Sequence, residues 1–286
     1  MRSALVLVAT LLAAQASMAA ETDVAGPPQA KPRYPYPKSE RVIASPITDH
    51  FALSASFFAG TATTDLHLDS SAGVPGTVLS AEHDLGLNSR LNQAQMELIF
   101  RLRQRHRLRV NYFKSDRNGD QALTRTISFG GQTFDDGDIV QSELNLTMLS
   151  FTYTYSVIRT ERFEVGAGVG LHLLDAQARG MDETLERNAQ TSGSGPFPTF
   201  ALDATWRISQ RFAFTARGNY LSATVNGVSG ALGDYHTDLQ YRWTPNLVLG
   251  LGYEALQAQL EVTRSNLPSG FDFRTQGPEL FFRVSF

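Results

Sequence analysis

From Phe51 to the C-terminus, apolar and polar residues alternate one for one in short blocks separated by turn-forming stretches. Successive side chains of a strand point to opposite faces, so a period of two predicts strands with one apolar and one polar face. Leu149, Phe151, Tyr153, Tyr155 and Val157, for example, alternate with Ser150, Thr152, Thr154 and Ser156. Phe163, Val165, Ala167, Val169, Leu171 and Leu173 alternate with Glu164, Gly166, Gly168, Gly170 and His172. Ten such segments occur, centred near residues 55, 98, 110, 153, 168, 204, 216, 239, 250 and 283. None of the region carries a helical period.

The connections alternate between short and long. Short ones fall near 104–106, 159–161, 209–210 and 244–246, and longer or glycine-rich ones near 64–90, 114–138, 178–196, 225–233 and 264–272. With both ends of the array on the short-turn side, the strand count is even, and ten satisfies that. Residues 76–80 and 122–129 also look strand-like; they are either strands extending above the membrane or an added hairpin that would make twelve. The expected fold is all-β, an antiparallel up-and-down barrel over residues 48–286.

Upstream of this region the character changes. Arg2, the apolar run Ala4 to Ala14 and Ser17-Met18-Ala19 have the layout of a cleaved signal peptide over 1–19. That run is too short to cross a hydrocarbon core, which needs ~20 apolar residues. Residues 20–47 carry Pro27, Pro28, Pro32, Pro35, Pro37 and Pro46, and predict an extended periplasmic linker. The chain has no cysteine, which excludes disulfides and thiolate metal sites. Its basic residues are dispersed along the sequence and its net charge is −3, so no nucleic-acid partner is expected.

Alternation alone does not separate a membrane barrel from a soluble one whose apolar face points inward. The placement of aromatics does. Tyr155, Trp206, Phe212, Trp243 and Phe286 lie on the apolar face close to the short turns or the C-terminus, and Tyr220 and Tyr235 lie eight residues from Phe212 and Trp243. Eight tilted residues rise roughly 20 Å, close to the ~25 Å apolar band of a membrane barrel, so two aromatic girdles at bilayer interfaces are expected. The last strand, Pro278 to Phe286, ends in phenylalanine and resembles the C-terminal signature of bacterial outer-membrane proteins. His83-Asp84-Leu85-Gly86-Leu87 also resembles a segment of uncharacterised proteobacterial barrels. The resemblance implies a Gram-negative outer-membrane location, contact with membrane lipid including lipopolysaccharide, and recognition of the last strand by the barrel-assembly machinery, with Phe286 as the signal.

If the apolar face meets lipid, the polar face lines the lumen. Its acids are then Glu97, Glu164, Asp203, Asp238, Glu254 and Glu279, and its bases Arg101, Arg109, Arg207, Arg217, Arg242 and Arg283. Equal numbers fit a self-neutralising core that fills a narrow barrel. They also fit opposed charges along an aqueous path. The closest approach to catalytic chemistry is His172 with Asp175 and His236 with Asp238 and Asp234, expected near the outer ends of their strands, where an outer-membrane protease would activate water. Both histidines point inward by parity, which argues against a lipid-facing esterase. No pattern calls for a metal or a cofactor. The sequence therefore predicts a structural or transport barrel, porin-like if the lumen conducts. The alternatives are a rim-sited hydrolase acting on peptides, phospholipid or lipid A, and a surface-binding barrel acting through its loops.

Overall fold

The computed structural model describes residues 46–67, 78–129, 132–182, 187–225, 228–262 and 269–286. The expected signal peptide and nearly all of the linker lie outside them. Ten strands form the wall: β1 (Phe51–His67), β2 (Arg90–Arg101), β3 (His106–Ala122), β4 (Ile139–Arg159), β5 (Phe163–Asp182), β6 (Arg187–Arg207), β7 (Phe212–Val225), β8 (Val228–Arg242), β9 (Leu247–Val262) and β10 (Ser269–Ser285). Each pairs antiparallel with its sequence neighbours, and β10 returns to β1 from Ala52↔Ser285 to His67↔Gly270. The sheet is closed. At the seam Phe51 and Phe286 exchange both backbone N–H···O bonds, 3.1 and 2.8 Å long.

The two faces divide as the alternation predicts. Leu202 and Trp243 leave 65% and 60% of their surface exposed on the outside, whereas Glu164 and His172, pointing in, expose none. Parity assigns faces because the period is two, and a one-residue slip would turn every lumenal charge outward.

The upper part of the barrel departs from the expected loops. Residues 114–122, 178–182, 187–196 and 229–233 are wall strand rather than loop. In the loop-like stretches of β3 and β6, polar or small residues occupy both faces, as in Lys114-Ser115-Asp116-Arg117-Asn118-Gly119 and Thr191-Ser192-Gly193-Ser194-Gly195. Without contrast between faces, a period-two signal vanishes even though the backbone pairing continues. Val78–Ser80 adds a short strand to the top of β1, and Ile127–Phe129 pairs only with Gln132–Phe134. Neither enters the closed wall, so the count is ten and not twelve.

Along the extended strands the inside changes chemistry. Above the polar lumen, Phe58, Leu91, Phe113, Leu146, Met148, Leu174, Leu256 and Phe273 form a buried apolar cluster inside the barrel. Leu79, Leu123, Ile127, Phe134, Val140 and Ala189 form a second cluster above it. The segment after the short strand folds into the mouth, with Ala81 and Leu87 against the inner face at Leu144. Gly86 takes φ +67°, and a Cβ on the facing Gly119 would strike its carbonyl, so this approach needs glycine at both positions. Below, the belt is apolar outside and polar inside; above, it is reversed, as a water-exposed barrel requires.

Two substitutions test these faces by denaturant unfolding in lipid vesicles. Leu202→Arg should cost ~2–4 kcal/mol by placing a cation in hydrocarbon. Phe273→Ala, inside the upper cluster, should cost ~3–5 kcal/mol through the cavity it leaves. A neutral Leu202→Arg would mean that the outer belt faces water.

Candidate functional site: the lumen and its two closures

The lumen is built in layers from the short-turn end upward. At the bottom, Pro46 to Asp49 crosses the mouth as a strap, with Ile47 fully buried. Arg101 donates to the carbonyls of Pro46 and Asp49, each at 3.4 Å, and Arg159 to that of Ile47 at 3.1 Å. Arg242 binds the Asp49 carboxylate at 2.5 Å and also donates to Ser285 Oγ at 3.0 Å. Pro46 and Ile47, which the proline pattern assigns to the linker, thus pack against the barrel.

The next layer centres on Glu164. Arg101 grips it with two guanidinium nitrogens, at 2.7 and 2.9 Å, and the Ser156 hydroxyl also donates to it. Arg107 reaches Glu164 at 4.0 Å and pairs closely with Asp203. Space for this pairing comes from Gly166, where a Cβ would lie 2.6 Å from Asp203 Oδ1. Above it, Glu97 lies within ion-pair distance of three arginines on three strands: Arg217 at 2.5 Å, Arg283, which donates to it, at 3.0 Å, and Arg109 at 3.3 Å. Arg283 also lies over the Phe281 ring, 4.9 Å from its centroid, and that ring occupies the space that a side chain at Gly250 would need.

A histidine layer follows. His236 lies 2.6 Å from Glu279 through Nε2 and 3.3 Å from Asp238 through Nδ1. His172 lies 3.5 Å from Asp234, which also accepts from Asn219 at 3.2 Å. Glu254 is buried on the same inner face. Over the apolar cluster, Arg117 lies 5.8 Å from the Phe273 ring centroid, and binds Glu82 at 2.5 Å as well as Thr64. At the rim, burial raises the pKa of the Asp84 carboxyl, but the Ser80 N–H, His83 and Arg125 outweigh it and hold the group below its ordinary range.

The site residues expected from sequence are thus distributed unevenly. Glu97, Arg101, Arg109, Glu164, Asp203, Arg217, Arg242 and Arg283 all engage a charged partner in the lumen, and Asp238 and Glu279 both engage His236. Arg207 does not: it stands at the last position of β6, half-exposed at the mouth. His172 and Asp175 are not partners either. They are three residues apart on one strand and so face opposite sides, and Asp175 instead accepts from Gln177 at 3.1 Å. Both histidines sit mid-barrel. His172 is ten residues below the end of β5, which places it roughly 25 Å below that end, not near it. Lumenal charges outside the sequence inventory include Arg107, Arg117 and Asp49, while Asp234 enters it only beside His236. Arg107 shares parity with Arg109 and Asp234 with His236, but both lie just beyond the apolar runs that mark the segments, and Asp49 precedes the first one.

Among the described residues no group of three or more histidine, aspartate or glutamate side chains is placed to hold a metal ion. Two polar cavities remain between the layers. The lower lies between Pro46 and Arg283 and is lined by Asp49, Arg101, Arg107 and Arg217; the upper is lined by Glu97, Asn111, His236 and Glu279.

No protein-family model and no curated protein matches this chain. Solved structures do. The outer-membrane protease OmpT of Escherichia coli superposes with a TM-score of 0.52 at 10% identity, covering 83% of this chain and 97% of that one. The chain has the fold of a bacterial outer-membrane β-barrel. The Yersinia pestis attachment invasion locus protein Ail covers 80% of this chain, and 99% of its own, at 10% identity and a TM-score of 0.34. The Pseudomonas putida toluene transporter TodX covers 86% at 9% and 0.35. At these scores neither adds to the fold assignment.

The layers rank the arginines of this barrel. Arg101 is bidentate to a buried acid and also holds the strap, so Arg101→Met should lower unfolding free energy by ~3–5 kcal/mol. Arg217→Ala leaves Glu97 with Arg109 and Arg283 and should cost less. Equal losses in denaturant titrations would refute the layered pairing.

Proposed function

We propose that the protein resides in the outer membrane as a non-conducting scaffold, a filled barrel whose wall extends beyond the bilayer on the long-loop side. The observation that carries this reading is the double closure of the lumen. The strap Pro46–Asp49 lies under the ion-pair layers, and the apolar clusters with Ala81–Leu87 lie over them. A porin-like path needs a continuous polar channel, and the buried apolar cluster interrupts it. The outer-membrane setting rests on the fold and on the outward apolar belt bounded by aromatics, including Trp206, Phe212 and Trp243 near the short turns and Tyr220 and Tyr235 above them. In that setting the upper belt borders lipopolysaccharide.

A rim-sited hydrolase finds less support, because both histidines lie beneath the apolar layer, away from any peptide or lipid A. Surface binding through loops loses part of its basis, since much of 178–196 is wall strand. The C-terminus keeps its proposed role as the assembly signal. Phe286 is exposed on the outside, its ring centroid 6.4 Å from that of Phe51, at the seam that closes last.

Planar-bilayer recording of the refolded full chain tests the scaffold. Silence is expected for the wild type and for Arg217→Ala, because removing one lumenal arginine leaves both closures in place. Steady single-channel steps from the wild type would establish a pore instead. For assembly, Phe286→Asp should sharply reduce the heat-modifiable species on unheated gels of membrane fractions. An undiminished yield would remove Phe286 from that role.

A further inference from the structure

The short turns carry an excess of arginine over acid that the long-loop end lacks. Residues 102–105, 160–162, 208–211 and 243–246 contain Arg103, Arg105, Arg162 and Arg211, with Arg159 and Arg207 at adjoining strand ends, against one acid, Glu161. At the other end, Lys114, Arg125, Arg179, Arg187 and Arg274 each stand beside a carboxylate. At the turns, Arg105 donates to the carbonyls of Ser156 and Val157 and Arg211 to the Tyr241 hydroxyl, so neither cation is neutralised by its contact. Closing the sheet gathers charges far apart in sequence into one ring.

The ring adjoins the lower aromatic girdle. Arg207 follows Trp206, Arg211 precedes Phe212 and Arg162 precedes Phe163, and these aromatics all face outward. Where such aromatics mark the bilayer interface, neighbouring arginines lie at headgroup depth, and their flexible stems let the guanidinium reach a phosphate. A guanidinium offers a phosphodiester two parallel N–H donors. The turn between β6 and β7 adds a concave place for one, where Arg207 and Arg211 line an open cavity with Ser209, Gln210 and Pro46.

We propose that this arginine ring binds the phosphodiester headgroups of anionic phospholipids in the leaflet that surrounds the short turns. This rests on the outer-membrane reading above, and extends it by naming a lipid class for one face of the bilayer. The attraction is electrostatic and falls off within a Debye length, ~8 Å at physiological ionic strength, so added salt should weaken it.

The full chain is refolded into vesicles of phosphatidylcholine alone, or with phosphatidylglycerol as one fifth of the lipid, and its urea midpoint is measured. The wild type should unfold at higher urea in the anionic vesicles, and half-molar salt should erase the difference. The variant Arg103→Gln/Arg162→Gln/Arg207→Gln should match wild type in phosphatidylcholine and lose most of the anionic increment. The corresponding triple lysine variant, which keeps the charge, should retain part of it. Inorganic phosphate added to phosphatidylcholine vesicles should not reproduce the increment; if it does, the ring is a site for the free anion and the lipid proposal falls. Equal midpoints in both lipids for a folded, inserted wild type would overturn it, as would an undiminished increment in the glutamine variant. Arginine-dependent co-sedimentation with purified peptidoglycan, without lipid selectivity, would assign the ring to the cell wall instead. A chain that never inserts into either vesicle would refute the membrane reading itself, an outcome distinct from all of these.

Discussion

Every other feature of this molecule depends on the pairing of β1 with β10. In hydrocarbon an unpaired backbone N–H or C=O costs several kcal/mol, so a sheet in that environment must leave no edge. The seam runs from Ala52↔Ser285 to His67↔Gly270, with Phe51 and Phe286 bonded to each other at its lower end. Once the sheet is closed at ten strands, the inside is a narrow tube of fixed bore. Charged side chains on its polar face can then meet across the tube: Glu97 joins arginines from β3, β7 and β10, and Glu164 on β5 is held from β2.

The strands satisfy two solvents in succession. In the belt, lipid selects apolar residues outside, and the polar residues this leaves inside are neutralised in pairs. Higher up, water surrounds the wall, so the outside becomes polar and the apolar residues move in, as the burial of Phe58, Leu146, Leu174 and Phe273 records. The two regimes meet where the histidine layer gives way to the apolar cluster. His236 with Glu279 and His172 with Asp234 lie there, and both contacts face the barrel interior.

How far this was legible in the sequence follows from contrast. Strong apolar-polar contrast in 163–173 and 235–243 made faces and lumenal charges readable, because one inward acid and one outward leucine settle the phase of a whole strand. Where contrast fails, as at Thr191 to Gly195, the wall is indistinguishable from a loop, and the heights of the histidines were misjudged as a result. Arg107 was missed for a related reason, since its block was recognised only from Leu108 onward. The arginine ring was hidden differently. Dispersed basic residues become a cluster only when alternating short turns are all placed at one end.

The strap has one more consequence, for the order of events in assembly. Its contacts come from Arg101 on β2, Arg159 on β4 and Arg242 on β8, strands that lie apart around the wall. A sheet still open presents these arginines too widely spaced for one short peptide to touch together. Pro46 to Asp49 therefore settles only when the circle is complete, and its burial is a mark of a finished barrel. Until then these residues stay open to a protease.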